Sequence, residues 1–229
     1  FSKVSKLIRY AKNNSRTVAF LIKPKVFFNN IKKKKEKRKK FQIKRQDLIL
    51  SILKNIPKKT KIISSVGFNS RELYQLRKEY KFENGKDFLM VGAMGHTSMV
   101  ALSISQNIKD QTICLDGDGS FIMHLGALTL LGGHKRKNFK YILVDNESHE
   151  SIGNQPIYLK NINYEKISEG LGFKKFYFVN NLKDLDYKVR KFIKSSGPSF
   201  IHVKIAIGTL DNLVRPKRFK EIKKNFMKN

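Results

Sequence analysis

Leu115-Asp116-Gly117-Asp118-Gly119-Ser120 leaves an apolar stretch, Thr112-Ile113-Cys114-Leu115, and enters a segment with helical periodicity over residues 121–131. Two glycines remove side chains where backbone must come close to a ligand, and successive N–H groups at a helix start form an anion-binding concavity. Asp118 stands in the middle of it. A carboxylate beside an anion makes sense when a divalent cation bridges the two, and hard oxygen donors favour Mg²⁺ or Ca²⁺. A second oxygen is expected from the end of the next strand, where Val144-Asp145-Asn146-Glu147-Ser148-His149 places Asn146, with 26 residues between it and Gly119. By itself Gly-Asp-Gly-Ser equally fits a tight turn with a helix cap.

Outward from this segment the chain alternates short apolar runs with helical periodicity. Strands are expected over 60–66, 88–91, 112–115, 141–144, 176–179 and 200–206. Helices are expected over 46–55, from Asn69 or Ser70 to about 80, and over 96–106, 121–131, 164–171 and 182–194, with a last one from Pro216. Strands that read as near-continuous apolar runs between helices predict an α/β fold, a mostly parallel sheet with helices on both faces. Ligands then bind outside the carboxyl ends of the strands, which directs attention to the loops after Leu115 and Val144.

Ahead of this lies a helix end over 1–13 and an apolar run over 17–23, read as a short buried strand stopping at Pro24. Residues 32–45 follow as a like-charged run, read as a basic linker. The division expected is 1–31, a leading piece; 32–45, linker; and 46–229, the main domain. The chain has 48 Lys plus Arg against 18 Asp plus Glu, a formal net charge of +30. Apart from the dense block at 32–40 these cations are dispersed, and zinc-finger spacing, RNP-type aromatics and a heptad zipper are all missing. The charge therefore reads as a solvated surface, with no specific nucleic-acid partner. A basic nucleic-acid-interacting protein is the non-enzyme alternative. At 40 % hydrophobic the chain is not globally disordered, and no apolar run reaches membrane-spanning length. The single Cys114, and an opening at Phe1 that reads as cut and shows no signal-peptide apolar segment, suit a cytoplasmic protein. Missing motifs also exclude a Walker-type phosphate loop, a zincin and an α/β-hydrolase elbow.

Gly-Asp-Gly followed at this distance by Asn resembles the thiamine diphosphate-binding motif of the thiamine diphosphate-dependent decarboxylase superfamily. More narrowly, Ser70-Arg71-Glu72-Leu73-Tyr74, Val91-Gly92-Ala93-Met94-Gly95-His96, Met123-His124-Leu125-Gly126-Ala127-Leu128, and His149-Glu150-Ser151 with Gly153 and Gln155-Pro156 resemble phosphonopyruvate decarboxylases, with sulfopyruvate decarboxylases as the nearest rival. The likeness covers about residues 60–208. It extends more weakly to the leading piece, where 19–24 resembles the last strand of the family's pyrimidine-binding domain.

The resemblance implies thiamine diphosphate and Mg²⁺ as cofactors. Asp118 and Asn146 would bind the metal through side-chain oxygens and Ser148 through its backbone carbonyl. The N–H groups of Gly119 and Ser120 would face the diphosphate, in a loop set by Gly117, and Met94, between Gly92 and Gly95, would be the apolar wedge under the bent cofactor. It implies decarboxylation of phosphonopyruvate to phosphonoacetaldehyde, with sulfopyruvate or plain 2-oxo acids, or an acetolactate synthase-like enzyme, as alternatives. His96 and His149, the histidines in ligand-facing loops, are the candidates for contacting substrate or moving a proton. His124 is a lesser one, and His134 and His202 read as structural or surface. The family also uses a glutamate from a pyrimidine-binding domain, and none of Glu36, Glu72 or Glu79 has a context that replaces it. The chain thus reads as the diphosphate-binding half, truncated or one partner of a split enzyme. It is expected to oligomerise and to be inactive without a pyrimidine-binding domain or subunit. The family has smaller residues where Glu147 and Ser148 stand, and glycine where Asn154 stands.

Overall fold

A computed structural model describes residues 2–23, 26, 41–82, 86–159 and 161–228. The chain divides into two compact units, Phe1–Lys39 and Lys40–Asn229. In the first, α1 (Ser2–Asn14) forms where a helix end is expected and buries no residue. The strand expected over 17–23 does not form. These residues have no regular structure, and Leu21 is 98 % exposed. An apolar run becomes a strand only with a neighbour to pair with, and none is supplied by the described residues of this unit. The dense basic block at 32–40 lies outside the described residues.

The second unit runs α2 (Arg45–Asn55), β1 (Lys61–Ser64), α3 (Phe68–Glu79), β2 (Asp87–Leu89), α4 (Thr97–Asn107), β3 (Thr112–Gly117), α5 (Asp118–Met123), α6 (Leu128–Gly133) and β4 (Phe139–Asp145). It continues through β5 (Ser148–His149), β6 (Gln155–Pro156), α7 (Tyr164–Gly170), β7 (Lys175–Val179), α8 (Leu182–Lys194), β8 (Ser199–Lys204) and α9 (Phe219–Lys228). Six strands form one parallel sheet in the order β2-β1-β3-β4-β8-β7. Alternate residues go to opposite faces, and both faces are covered. Ile62, Leu115, Ile142, Val144, Ile201 and Val203 join one core with α2, α3 and α8. Ile63, Cys114, Tyr141, Leu143 and Phe200 join the other, rich in aromatic rings.

Within the stretch read as linker, Ile43 is fully buried, its carbonyl accepts from the Ala206 N–H at 2.7 Å, and Arg45 is buried at the start of α2. The helix expected over 121–131 is also different. It starts earlier, at Asp118, breaks at His124 (φ −135°, ψ 44°), and resumes as α6 after one 3₁₀ turn over Leu125–Ala127. At the edge of the sheet β7 pairs only with β8 among the described residues, and the Lys188 ammonium on α8 donates to its Phe178 carbonyl at 3.0 Å.

Order along the sheet reverses at β1, since the chain steps from β1 to β2 on one side and returns to β3 on the other. Crossovers leaving in opposite directions open a crevice at the carboxyl ends of β1 and β3. Ser65 and Asn69 stand on one wall, and Gly117 to Ser120 on the other.

Candidate cofactor and metal site

Strand β3 ends and α5 begins without a connecting loop, which brings Asp118 to the crevice floor, 5 % exposed. Its Oδ1 accepts from the Gly119 N–H at 2.8 Å and its Oδ2 from the Asn146 N–H at 3.2 Å, so the ends of β3 and β4 are tied through this carboxylate. Asn146 Oδ1 accepts from the Ser148 N–H at 3.1 Å, while its Nδ2 donates to Glu150 Oε2 at 2.8 Å. Pro156 stands opposite Ser148 in the β5–β6 pair and has no N–H to offer its carbonyl. One carboxylate, one amide oxygen and one backbone carbonyl thus cluster at two adjacent strand ends, a set of hard oxygens. Among the described residues no three His, Cys, Asp or Glu side chains group as a metal site, so a cation here depends on this mixed set.

Burial, and next the negative charge of Asp145, push the Asp118 carboxyl up to about 7. Burial acts on Asp145 in the same sense, but its hydrogen bond with His202 (2.8 Å) and the Lys204 ammonium (2.7 Å) outweigh it and hold Asp145 at about 2. Asp116 sits deeper, where burial raises its pKa against hydrogen bonds that include the Tyr141 hydroxyl at 2.7 Å. A divalent cation would supply the positive charge that Asp118, beside Asp145, lacks, and so favour its ionised form.

Gly119 is roofed. A Cβ added there would lie 2.8 Å from the His149 ring and 2.9 Å from Met94 Cε, so any larger residue must push these two side-chain ends aside. Met94 reaches this place because Gly92 and Gly95 adopt positive φ (69° and 89°) and the Gly95 N–H donates to Ser120 Oγ at 3.0 Å, fastening the loop after β2 to α5. The structure so brings together Met94, Gly95, Gly117, Asp118, Gly119, Ser120, Asn146, Ser148 and His149. Gly92 has open space around it. His96 is exposed and packs edge-on against His124, ring centroids 4.2 Å apart, and neither is among the residues that line the crevice. His134 is exposed and His202 buried. Glu147 (φ 57°) and Asn154 (φ 63°) are in left-handed backbone, which the glycine expected at 154 from the resemblance adopts without strain.

The reading of the residues missed Arg45, buried Glu72 and Glu150. Arg45 bonds Glu72 at 3.1 Å, Glu150 at 2.6 Å and the Gly208 carbonyl at 2.9 Å. Glu72 and Glu150 entered that reading only through the resemblance, and Arg45 only as the end of the basic run.

Residues 65–203 match the family model for the thiamine pyrophosphate enzyme, C-terminal TPP binding domain. The chain belongs to this family. It is 31 % identical to the phosphonopyruvate decarboxylase of Streptomyces viridochromogenes over 72 % of its own length, and spans 41 % of that relative. It is 38 % identical to the sulfopyruvate decarboxylase subunit beta of Methanocaldococcus jannaschii over 56 % of its length and 66 % of the relative's. Against the subunit beta of Methanothermobacter thermautotrophicus the figures are 31 % identity, 73 % of this chain and 85 % of the relative. In fold it resembles a protein from Mycobacterium smegmatis described as a thiamin diphosphate-dependent enzyme. The TM-score is 0.59 at 13 % identity, over 73 % of this chain and 32 % of the other. Among the described residues no helix is long and apolar enough to cross a membrane.

Proposed function

We propose that the chain is the diphosphate- and Mg²⁺-binding half of a thiamine diphosphate-dependent 2-oxo acid decarboxylase whose substrate is phosphonopyruvate and whose products are phosphonoacetaldehyde and CO₂. The observation that carries this reading is the cluster of Asp118, Asn146 and Ser148 oxygens beside a glycine that Met94 and His149 roof. These residues fit the group. Asp118 and Asn146 would hold Mg²⁺ by side-chain oxygen and Ser148 by its carbonyl, and the N–H groups of Gly119 and Ser120 would meet the diphosphate. When bound, thiamine diphosphate supplies the electron sink that decarboxylation of a 2-oxo acid requires.

The chain's own residues then bind and orient. Met94 fills the apolar place beside Gly119 and excludes water there. His149, in contact with the same spot, is the group that would meet an acidic substrate, with the exposed His96, packed on His124 beyond the crevice lining, as the second candidate. A pyrimidine-binding domain or subunit is the partner in this reading, and Val91, Met123 and Ile152, all more than half exposed, are apolar surface it could cover. Sulfopyruvate is the second reading, supported by the 38 % identity and by the 85 % share of a subunit beta that the chain spans.

Calorimetry of thiamine diphosphate with and without Mg²⁺ tests the cofactor. Binding should need Mg²⁺ and be lost in Asp118→Ala, whereas equal affinity in parent and variant refutes the site. CO₂ release from each acid, with a pyrimidine-binding subunit added, decides the substrate.

A further inference from the structure

An asparagine serves a cation only with its oxygen facing inward, and the two ends of its amide are nearly the same shape. In this protein the choice is made by neighbours of opposite character. The Ser148 N–H can only donate and meets Oδ1 at 3.1 Å, and the Glu150 carboxylate can only accept and meets Nδ2 at 2.8 Å. Reversing the amide would set N–H against N–H and oxygen against oxygen. We infer that Glu150, held by Arg45, is the positioning residue that fixes which end of the Asn146 amide faces the cation site.

Glu150 is itself well held. Oε2 receives Arg45 at 2.6 Å as well as Asn146, and Oε1 receives the Gly208 N–H. Arg45 comes from α2, and its other nitrogen grips Glu72 on α3 and the Gly208 carbonyl, with the Phe68 ring 5.5 Å from its guanidinium carbon. An isolated glutamate so near a metal site would compete for the cation. Bonded to Arg45, which it shares with Glu72, its charge is partly offset, and its Oε2 is held toward the Asn146 amide. The cation ligand is thus set by an arginine 101 positions earlier in the chain, on a different element.

This rests on Asn146 offering oxygen to Mg²⁺, and the test separates the two claims. Mn²⁺ stands in for Mg²⁺, and its free signal is followed by electron paramagnetic resonance in the presence of thiamine diphosphate, with thermal unfolding recorded in parallel. Glu150→Gln loses the charge that pairs with Arg45 but keeps an oxygen for Nδ2, whereas Glu150→Ala keeps neither. The expected result is that both variants lose stability, while Mn²⁺ affinity stays within about threefold in Glu150→Gln and falls about 10–100-fold in Glu150→Ala. If Glu150→Ala binds Mn²⁺ like the parent, or if both variants lose affinity in step with their melting points, Glu150 is a stabilising residue and the inference fails. A parent protein that binds no Mn²⁺ overturns the cofactor reading first, and this inference with it.

Discussion

Arg45→Met keeps most of the side-chain volume and removes the charge, leaving two carboxylates without the cation they share. Arg45 is 5 % exposed, Glu72 1 % exposed and the Glu150 side chain 8 % exposed, so none can recover its lost bonds from water. Deleting one member of a buried ion pair costs about 3–5 kcal/mol. With two carboxylates losing one cation the upper half of that range applies, and at roughly 2–4 °C per kcal/mol for a unit of this size the midpoint should drop by about 8–20 °C. Burial already raises the Glu72 pKa, with Arg45 as the chief opposing influence. Without Arg45 it rises further above its unfolded value. The folded state then holds more protons than the unfolded state between the two pKa values, so stability falls as pH rises through that window. The deficit relative to the parent should therefore be smaller at pH 5 than at pH 7.5, and Glu72→Gln in the Arg45→Met background should restore part of it. Urea unfolding at both pH values measures this. A loss below about 1 kcal/mol, the worth of an exposed pair, would show that Arg45 belongs to a solvated linker, and a pH-independent loss would remove the stranded carboxylate as its cause.

Gly119→Ala should weaken Mg²⁺-dependent thiamine diphosphate binding at least tenfold with little change in melting point, because its Cβ displaces side-chain ends of His149 and Met94 rather than backbone; unchanged affinity by calorimetry would show the roof over Gly119 is not part of the site. Lys140, buried in β4 with its ammonium on the Phe192 carbonyl (3.0 Å) and Ser199 Oγ (3.1 Å), is lowered to about 8 by burial and then by Lys175. The unfolded state therefore holds the extra proton between pH 8 and 10.5, and stability from this group rises with pH across that window. Relative to Lys140→Met, the parent should gain stability from pH 7.5 to 9.5 in urea titrations, and a constant difference would refute the shift.

The sheet was legible because the central strands carry consecutive apolar residues, such as Ile113-Cys114-Leu115 and Tyr141-Ile142-Leu143-Val144, as burial on both faces requires. The pairing of Asp118 with Asn146 was legible because a strand end fixes each of them, so sequence distance became a distance in space. Arg45, Glu72 and Glu150 were not, since their meeting depends on how α2, α3 and the turn after β5 pack, and polarity alone pointed Arg45 toward solvent. The break at His124 was equally hidden, because the residues on either side keep helical periodicity. The expected strand over 17–23 failed for the opposite reason, apolar character being no substitute for a pairing partner.

The ammonium of Lys188 on the outermost strand bears on the lysine excess as a whole. An open strand edge is a template for any extended chain that drifts past, and β7 is five residues long with Lys175 at its start. A strand approaching that edge would have to displace an ammonium from the Phe178 carbonyl and bring its own backbone among cations. Lateral growth of the sheet, the route to aggregates, is thereby disfavoured by the residue type that acts at the cofactor crevice only through Lys204 on Asp145. Acetylating the surface lysines would leave the crevice intact and unguard this border.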